Sequence, residues 1–411
     1  MKLYIFNETR RGAAYGVGTY ITELSTALKG SYLSVCIINL MSDKQKMQVE
    51  EIDGVRYWYF PAPVTEKRTI DIEKQEELYY RNIVYLLQLH IEDKKNLMFH
   101  LNYNHFNKLS EELKNVFECK IVLVVHYLES CMTLFGNISR LRRIISQPEE
   151  PIDYEERMAK MFYLKEKVFF QSHAVDKIIC LSNHASDLLH QDFLVDKEKI
   201  VIVYNGLMDS NLALDKHTLR QRYHIPDIPI ILFVGRLDEI KGLSYVLRAF
   251  RVVLKKHPHC QIIIAGNGSF DDYMKECEDI WMRVTWTGLI NKEKLYNLYS
   301  IADIGIMPSL FEPFGYVAVE MMMHELPIVA TSTSGLNEVI DDNCGLKIPV
   351  IEYPDRVDID SSLLAEKILY LLQHPIDARQ LGQNGRKRYL EKFSSEIFSR
   401  NMLQVYCSTS V

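Results

Sequence analysis

Along most of the chain, short apolar and β-branched runs alternate with longer segments whose apolar positions recur at helical spacing. Residues 121–125 (Ile-Val-Leu-Val-Val) contain no polar position at all, as expected of a strand covered on both faces. Comparable runs fall at 3–6, 34–38, 97–100, 177–181 and 200–203, and then at 229–234, 261–265, 284–287, 304–307 and 327–330. The segments between them are amphipathic: Val17, Tyr20, Ile21, Leu24 and Leu28, for example, share one helix face. Repeated strand–helix units of this kind build parallel sheets. The rhythm breaks at about 205–226, where Asn205-Gly206, a polar helix-like stretch and Ile225-Pro-Asp-Ile-Pro229 predict a linker. The pattern predicts an α/β chain of two doubly wound domains, closed by an amphipathic helix at 393–406.

A length of 411 residues and 47% hydrophobic content are ample for two cores. With 48 basic and 54 acidic residues the net charge is −6, which offers no general attraction for nucleic acid. The eight cysteines (36, 119, 131, 180, 260, 277, 344 and 407) form no Cys-x-x-Cys pair and no zinc spacing with histidine. They are expected to be reduced residues of a cytoplasmic protein. The opening apolar run turns polar at Asn7, too soon for a signal peptide, and no later run approaches a membrane span.

Residues with chemical potential gather just beyond the carboxyl ends of the predicted strands: 7–18, His126, Arg236, Gly266-Asn-Gly268 and Glu312. In open α/β sheets ligands bind at that edge, and two such edges facing each other would make a cleft. The richest stretch is Pro308-Ser-Leu-Phe-Glu312-Pro-Phe-Gly-Tyr-Val-Ala-Val-Glu320. Gly315 relieves crowding at its turn, and a helix over 316–324 would aim its exposed amides and positive end at the loop. Glu312 in the loop and Glu320 just over one turn into the helix could then reach one ligand, most simply through polyol hydroxyls. Stabilisation of the helix by its own carboxylate, worth about 0.3–1 kcal/mol, accounts for one glutamate and not for the arrangement. Gly16-Val-Gly18 precedes another helix and would let backbone amides approach a phosphate. The third glycine of a dinucleotide fingerprint would fall at Ile21, which argues against a nicotinamide enzyme. As a lone motif, a plain turn explains this glycine pair equally well.

Glu312-Pro-Phe-Gly-Tyr-Val-Ala-Val-Glu320, Pro327-Ile-Val-Ala-Thr331 and Gly335-Leu-Asn-Glu338 together resemble the nucleotide-sugar site of the retaining GT-B glycosyltransferases, family 4. The likeness extends to Gly16-Val-Gly-Thr-Tyr20, His126, Tyr204-Asn-Gly206 and Gly235-Arg236-Leu-Asp-Glu-Ile-Lys241-Gly242. It implies an acceptor-side Rossmann-like domain at 1–205, a nucleotide-sugar domain at 206–390 and a final helix at 391–411 crossing back to the first domain. It implies transfer of a sugar from a nucleotide diphosphate, a UDP- or GDP-sugar, with retention of configuration and no cofactor. The acceptor would be a glycan, a lipid-linked sugar, a small molecule or a peptide.

Carried over residue by residue, the resemblance gives Glu312 to the donor sugar and Glu320 to the ribose. It gives the amides of Phe314, Gly315 and Tyr316 to phosphate and sugar oxygens, and Gly16 and Gly18 to donor binding. Leu289, in the strand end Thr287-Gly-Leu289-Ile, would neighbour the nucleobase. Arg236 and Lys241 would face the diphosphate, where fixed cations stabilise the charge that develops on the leaving group. With no Asp-x-Asp pair in a comparable loop, they remove the need for a metal. His126 would contact sugar or acceptor, without acting as a base. Glu8, Arg10 and Arg11 are acceptor candidates, set against the simpler expectation of a solvated loop. The family usually has small residues after the second glutamate, whereas this chain has Met321-Met-Met-His324-Glu325, so packing there must be re-fitted. Residues 127–173, with basic Arg140–Arg143, are long for their place. They are a candidate acceptor contact or peripheral contact with the inner face of the membrane, against the simpler expectation of an amphipathic helix packed on the sheet. Two rival functions remain open: a silent subunit that binds nucleotide-sugar or glycan without transfer, and a nucleotide-sugar epimerase.

Overall fold

The computed structural model describes residues 1–9, 16–63, 72–92, 94–147, 153–209 and 215–410. The chain divides into two compact units. The first comprises Met1–Ser130, Arg157–Gly206 and Ser395–Val411, and the second Cys131–Glu156 and Leu207–Ser394. The boundaries thus differ from the sequence expectation in three places: Cys131–Glu156 belongs to the second unit, the first unit runs to Gly206 rather than 205, and the returning segment starts at Ser395 rather than 391.

The first unit is built on an eight-stranded sheet of β1 (Lys2–Glu8), β2 (Ser34–Ser42), β3 (Gln48–Ile52), β4 (Val55–Pro61), β5 (Leu97–Leu101), β6 (Cys119–Val125), β7 (Lys177–Cys180) and β8 (Ile200–Ile202). The order is β3-β4-β2-β1-β5-β6-β7-β8. Every pairing is parallel except the β3–β4 hairpin. Sequence reasoning passed over that hairpin, although Asp53-Gly54, both left-handed, marks its turn. Leu3, Ile5, Phe6, Phe99, Ile121 and Leu123 are fully buried in this sheet, each stabilising the fold by about 1.5–3 kcal/mol. The helix Ser395–Ser410 packs on the helix Gly16–Ala27, with the Ser399 hydroxyl donating to the Ala27 carbonyl at 2.7 Å and the Tyr20 and Phe398 rings 5.7 Å apart.

The second unit holds β9 (Ile230–Val234), β10 (Gln261–Ala265), β11 (Val284–Gly288), β12 (Ile304–Met307), β13 (Ile328–Thr331) and β14 (Gly345–Ile348), all parallel in the order β11-β10-β9-β12-β13-β14. A small hairpin of β15 (Val350–Glu352) and β16 (Val357–Ile359) follows. Chain direction across the sheet reverses between β9 and β12, so the loops leaving those two strands open the crevice in which doubly wound sheets bind ligands. Part of the expected linker is a helix, Lys216–Arg222, anchored to this unit: Lys216 and Arg220 donate to the Asp303 carboxylate at 2.6 and 2.7 Å.

The bulky Met321-Met322-Met323 run is accommodated by glycines opposite. All three side chains are fully buried. A Cβ at Gly305 would collide with the Met321 sulfur, and one at Gly385 would crowd Met322.

Candidate functional site

The loop leaving β9 and the loop leaving β12 are locked together. The Leu310 amide donates to the Ile240 carbonyl at 2.8 Å. Gly242, with φ of 73°, packs so closely on the Pro308 carbonyl that any Cβ would collide with it. This contact and the left-handed backbone both require glycine there. Across this junction the Lys241 ammonium meets the Glu312 carboxylate at 2.5 Å, with side-chain exposures of 21% and 12%. An ion pair this sheltered from solvent is screened far less than a surface pair.

Three hydroxyls at and just past the end of β13 fix the Glu312 loop. Thr331 donates to the Ser309 carbonyl at 2.6 Å, Thr333 to the Leu310 carbonyl at 2.8 Å, and Ser334 to the Glu312 carbonyl at 2.7 Å. Ser334 also accepts from the Glu312 amide at 3.0 Å. Sequence reasoning had noted the motif containing Thr331 without assigning these hydroxyls; the run Thr331-Ser-Thr-Ser334 was their only signal. The loop therefore holds its shape by its own bonds, as a preorganised site must.

The helix Tyr316–Met323 follows, with Gly315 at its N-cap and Phe314 buried against Phe393. Glu320 is buried on this helix and accepts from the Tyr299 hydroxyl at 2.7 Å. Burial, and then the neighbouring Glu320 charge, push the Tyr299 pKa well up, so Tyr299 stays a donor. It lies on the helix Lys292–Ile301 and was not singled out by sequence reasoning.

The remaining donor-side candidates are more dispersed. Arg236 is 42% exposed and pairs with Asp238 at 3.0 Å, leaving the Glu312 carboxylate to Lys241. Leu289, past the end of β11, is 62% exposed.

In the first unit, Gly16 and Gly18 lie inside the first turn of the helix Gly16–Ala27 rather than ahead of it. Arg10 and Arg11 lie outside the described residues. Glu8 is not a solvated loop residue. It is buried at the end of β1 and its carboxylate meets His105 Nε2 at 2.8 Å. His126, just past β6, sits with its Nε2 2.9 Å from Asn102 Oδ1. Asn102 uses its amide nitrogen to donate to the Phe6 carbonyl at 2.9 Å, so its oxygen faces His126 and His126 carries the proton on Nε2. Burial, and then nearby His100, lower the His126 pKa to about 3. It is thus neutral at physiological pH, with Nδ1 as an acceptor. His100, fully buried, meets Tyr406 and Tyr20 hydroxyls at 2.9 and 3.3 Å.

Residues 127–173 divide between the units. Arg140 is not part of a free basic surface: it is 5% exposed and pairs with Asp153, Glu155 and Glu156 at 3.0, 3.2 and 2.9 Å. Acidic residues 13 to 16 positions later neutralise it, which removes its contribution to a membrane or acceptor patch. Glu166, on the helix Tyr154–Gln171, is buried and accepts from the Ser130 hydroxyl and the Glu129 amide, each at 2.6 Å, and from Asn104 at 3.3 Å. Sequence reasoning missed it, because Lys165-Glu166-Lys167 reads as a solvated face.

Among the described residues, no group of three or more His, Cys, Asp or Glu could hold a metal ion, and no helix is long and apolar enough to cross a membrane. All eight cysteines are free thiols.

Comparison with known proteins bears on the fold. Residues 215–388 match the family model for glycosyl transferases group 1. An uncharacterised glycosyltransferase of Methanocaldococcus jannaschii is 30% identical over 239 residues, which span 56% of this chain and 59% of that relative. The chain superposes on sucrose-phosphate synthase from Thermosynechococcus elongatus with a TM-score of 0.76 at 22% identity, covering 99% of this chain and 98% of the other. It superposes on Anabaena HepE, solved with UDP-glucose, with a TM-score of 0.71 at 15% identity, covering 99% and 100%. The chain therefore has the GT-B fold, and its residues 215–388 are similar to the glycosyl transferases group 1 domain.

Proposed function

We propose that this protein is a retaining glycosyltransferase of family 4 that moves a sugar from a nucleotide diphosphate to an acceptor hydroxyl without a metal. The observation that carries the reading is the Lys241–Glu312 pair, held between the loops leaving β9 and β12 at the point where the sheet reverses direction. A diphosphate arriving there would draw the Lys241 ammonium to itself and release the Glu312 carboxylate to the sugar hydroxyls. Arg236, half-exposed on the same loop, is free to swing from Asp238 onto the phosphates. Glu320 would take the ribose, the amides of Phe314, Gly315 and Tyr316 the phosphate and sugar oxygens, and Leu289 the base. Gly16 and Gly18 would offer first-turn amides to the donor, and neutral His126 an acceptor nitrogen to a hydroxyl.

In the step itself, the bond from the anomeric carbon to the diphosphate oxygen breaks. The acceptor oxygen bonds to the same face, and its proton passes to the departing phosphate oxygen. Lys241 and Arg236 would stabilise the charge that grows on that oxygen.

A uridine donor is the first choice, since HepE binds UDP-glucose in the same fold. The acceptor is a glycan, lipid-linked sugar, small molecule or peptide, met in the cytoplasm or at the inner face of the membrane. A thermal-shift screen against UDP-, GDP- and ADP-sugars tests the reading, because a ligand at a hundred times its Kd adds about 2.7 kcal/mol of stability. Stabilisation by one donor class, followed by transfer or slow hydrolysis of that donor, is expected. No response to any class would count against the transferase reading and against a silent subunit that binds nucleotide-sugar.

A further inference from the structure

Cys131–Glu156 precedes the second unit's own sequence by some fifty residues and yet is embedded in that unit. Its anchoring is specific. The Asn137 side chain caps the helix Ile138–Ser146 by accepting from the Arg140 amide at 2.9 Å. Through its amide nitrogen it also donates to the carbonyls of Tyr353 and Arg356, at 2.7 and 3.2 Å, in the turn of the β15–β16 hairpin. Arg140 adds a bond to the Asp355 carbonyl at 2.9 Å, and the Ser139 amide one to Glu352 at 3.2 Å.

What this anchoring presents to the site is the turn at 134–137. Phe135 and Gly136 are both left-handed, with φ of 53° and 80°. The bare face of Gly136 lies flat on the buried Phe311 ring: a Cβ there would stand 2.6 Å from Phe311 Cδ2 and 2.8 Å from its Cβ. Phe311 immediately precedes Glu312 in the loop that carries the Lys241 pair.

We propose that the turn at 134–137, stapled by Asn137 to the β15–β16 hairpin, is a positioning element for the donor sugar, in which Gly136 seats Phe311 and thereby sets the reach of Glu312. This rests on the assignment of Glu312 to the sugar. It adds a specificity determinant from a part of the chain outside the group 1 match at 215–388. The nucleotide itself, held further along by Glu320, should not sense it.

Gly136→Ala is the test, with Gly30→Ala as its control. Gly30 has nearly the same φ, 79°, but a Cβ there would meet nothing within 4 Å. Both variants carry the same left-handed strain, and only one disturbs Phe311. Three quantities are compared: calorimetric affinity for UDP, kcat/KM with UDP-glucose or the donor found to be preferred, and amide hydrogen exchange over 311–316. Gly136→Ala should keep UDP affinity within about twofold of the control. It should lose about tenfold or more in kcat/KM, since small misplacements of a reacting group carry losses of that order, and exchange faster over 311–316. Phe311→Leu added to Gly136→Ala should restore part of the lost rate. Should Gly136→Ala fail to fold, Asn137→Ala releases the same staple and should give the same pattern. Exchange over 311–316 matching that of Gly30→Ala would overturn the positioning role, as would faster exchange with unchanged kcat/KM. A parent that recognises no sugar nucleotide would instead remove the transferase reading, and the exchange comparison would still decide whether the turn holds the loop.

Discussion

Removing Glu320 should weaken nucleotide binding, whereas removing the Glu312 charge should spare it. Glu320→Ala alone is a poor probe, because it would leave the fully buried Tyr299 hydroxyl without its 2.7 Å acceptor, a fault costing about 1–3 kcal/mol of stability. The double variant Glu320→Ala/Tyr299→Phe removes both partners at once, and paired removal of this kind can be nearly neutral for folding. Tyr299→Phe serves as its baseline. A hydrogen bond to a charged group contributes about 1.5–3 kcal/mol, which corresponds to a loss of about 10- to 150-fold in affinity. Calorimetry should show that loss equally for UDP and for the whole donor, since the ribose does not change during transfer. Glu312→Gln should behave differently. It frees Lys241 from its 2.5 Å partner, so affinity for UDP should stay level or rise while transfer collapses. The reasoning is refuted if the double variant binds UDP as tightly as Tyr299→Phe, or if Glu312→Gln transfers sugar at the parental rate.

Most of the parallel strands were legible because they are buried on both faces and read as unbroken apolar runs, as at Ile230–Val234 and Ile304–Met307; β14 escaped notice, because Lys347 interrupts its run. The β3–β4 hairpin was not, because Val55-Arg-Tyr-Trp-Tyr-Phe60 alternates between core and solvent and its outer strand is mostly exposed. The order of the strands, and hence the reversal between β9 and β12, comes from tertiary pairing that no local pattern records. The site divides along the same line. Glu312 and Glu320 stood out because an acidic pair beside a glycine turn is locally odd. Their pairings did not, since Lys241, itself a candidate for the diphosphate, lies 71 positions from Glu312, and Tyr299 lies 21 from Glu320. Placement of Cys131–Glu156 with the second unit was the least legible feature, because it depends on backbone carbonyls of the β15–β16 turn that leave no signature in side-chain sequence.

Arg236→Ala or Lys241→Ala should lower kcat by about a hundredfold or more while raising the Michaelis constant far less; near-normal turnover in either steady-state assay would remove that residue from the leaving-group role. Activity should persist in chelator, because the site already supplies two cations for the diphosphate; loss in chelator with recovery on adding magnesium or manganese would contradict this. The last expectation concerns acid stability and turns on the opposite signs of two buried groups. Burial raises the Glu166 pKa from 4.5 to about 7, so between those values the folded chain holds a proton that the unfolded chain has released, and lowering the pH adds stability. Burial lowers the His100 pKa from 6.5 to about 3. Below 6.5 the unfolded chain takes up a proton that the folded chain refuses, and lowering the pH subtracts stability. In the parent these two largely offset each other between pH 7 and 5, which leaves the His126 contribution, of the same sign as that of His100, to lower stability over the interval. Glu166→Gln deletes only the favourable half, so its urea-unfolding free energy should fall over that interval by about 2 kcal/mol more than the parent's. Parallel pH profiles for the two proteins would mean that Glu166 is already ionised at pH 5 in the folded state, held so by its donors from Ser130, Glu129 and Asn104.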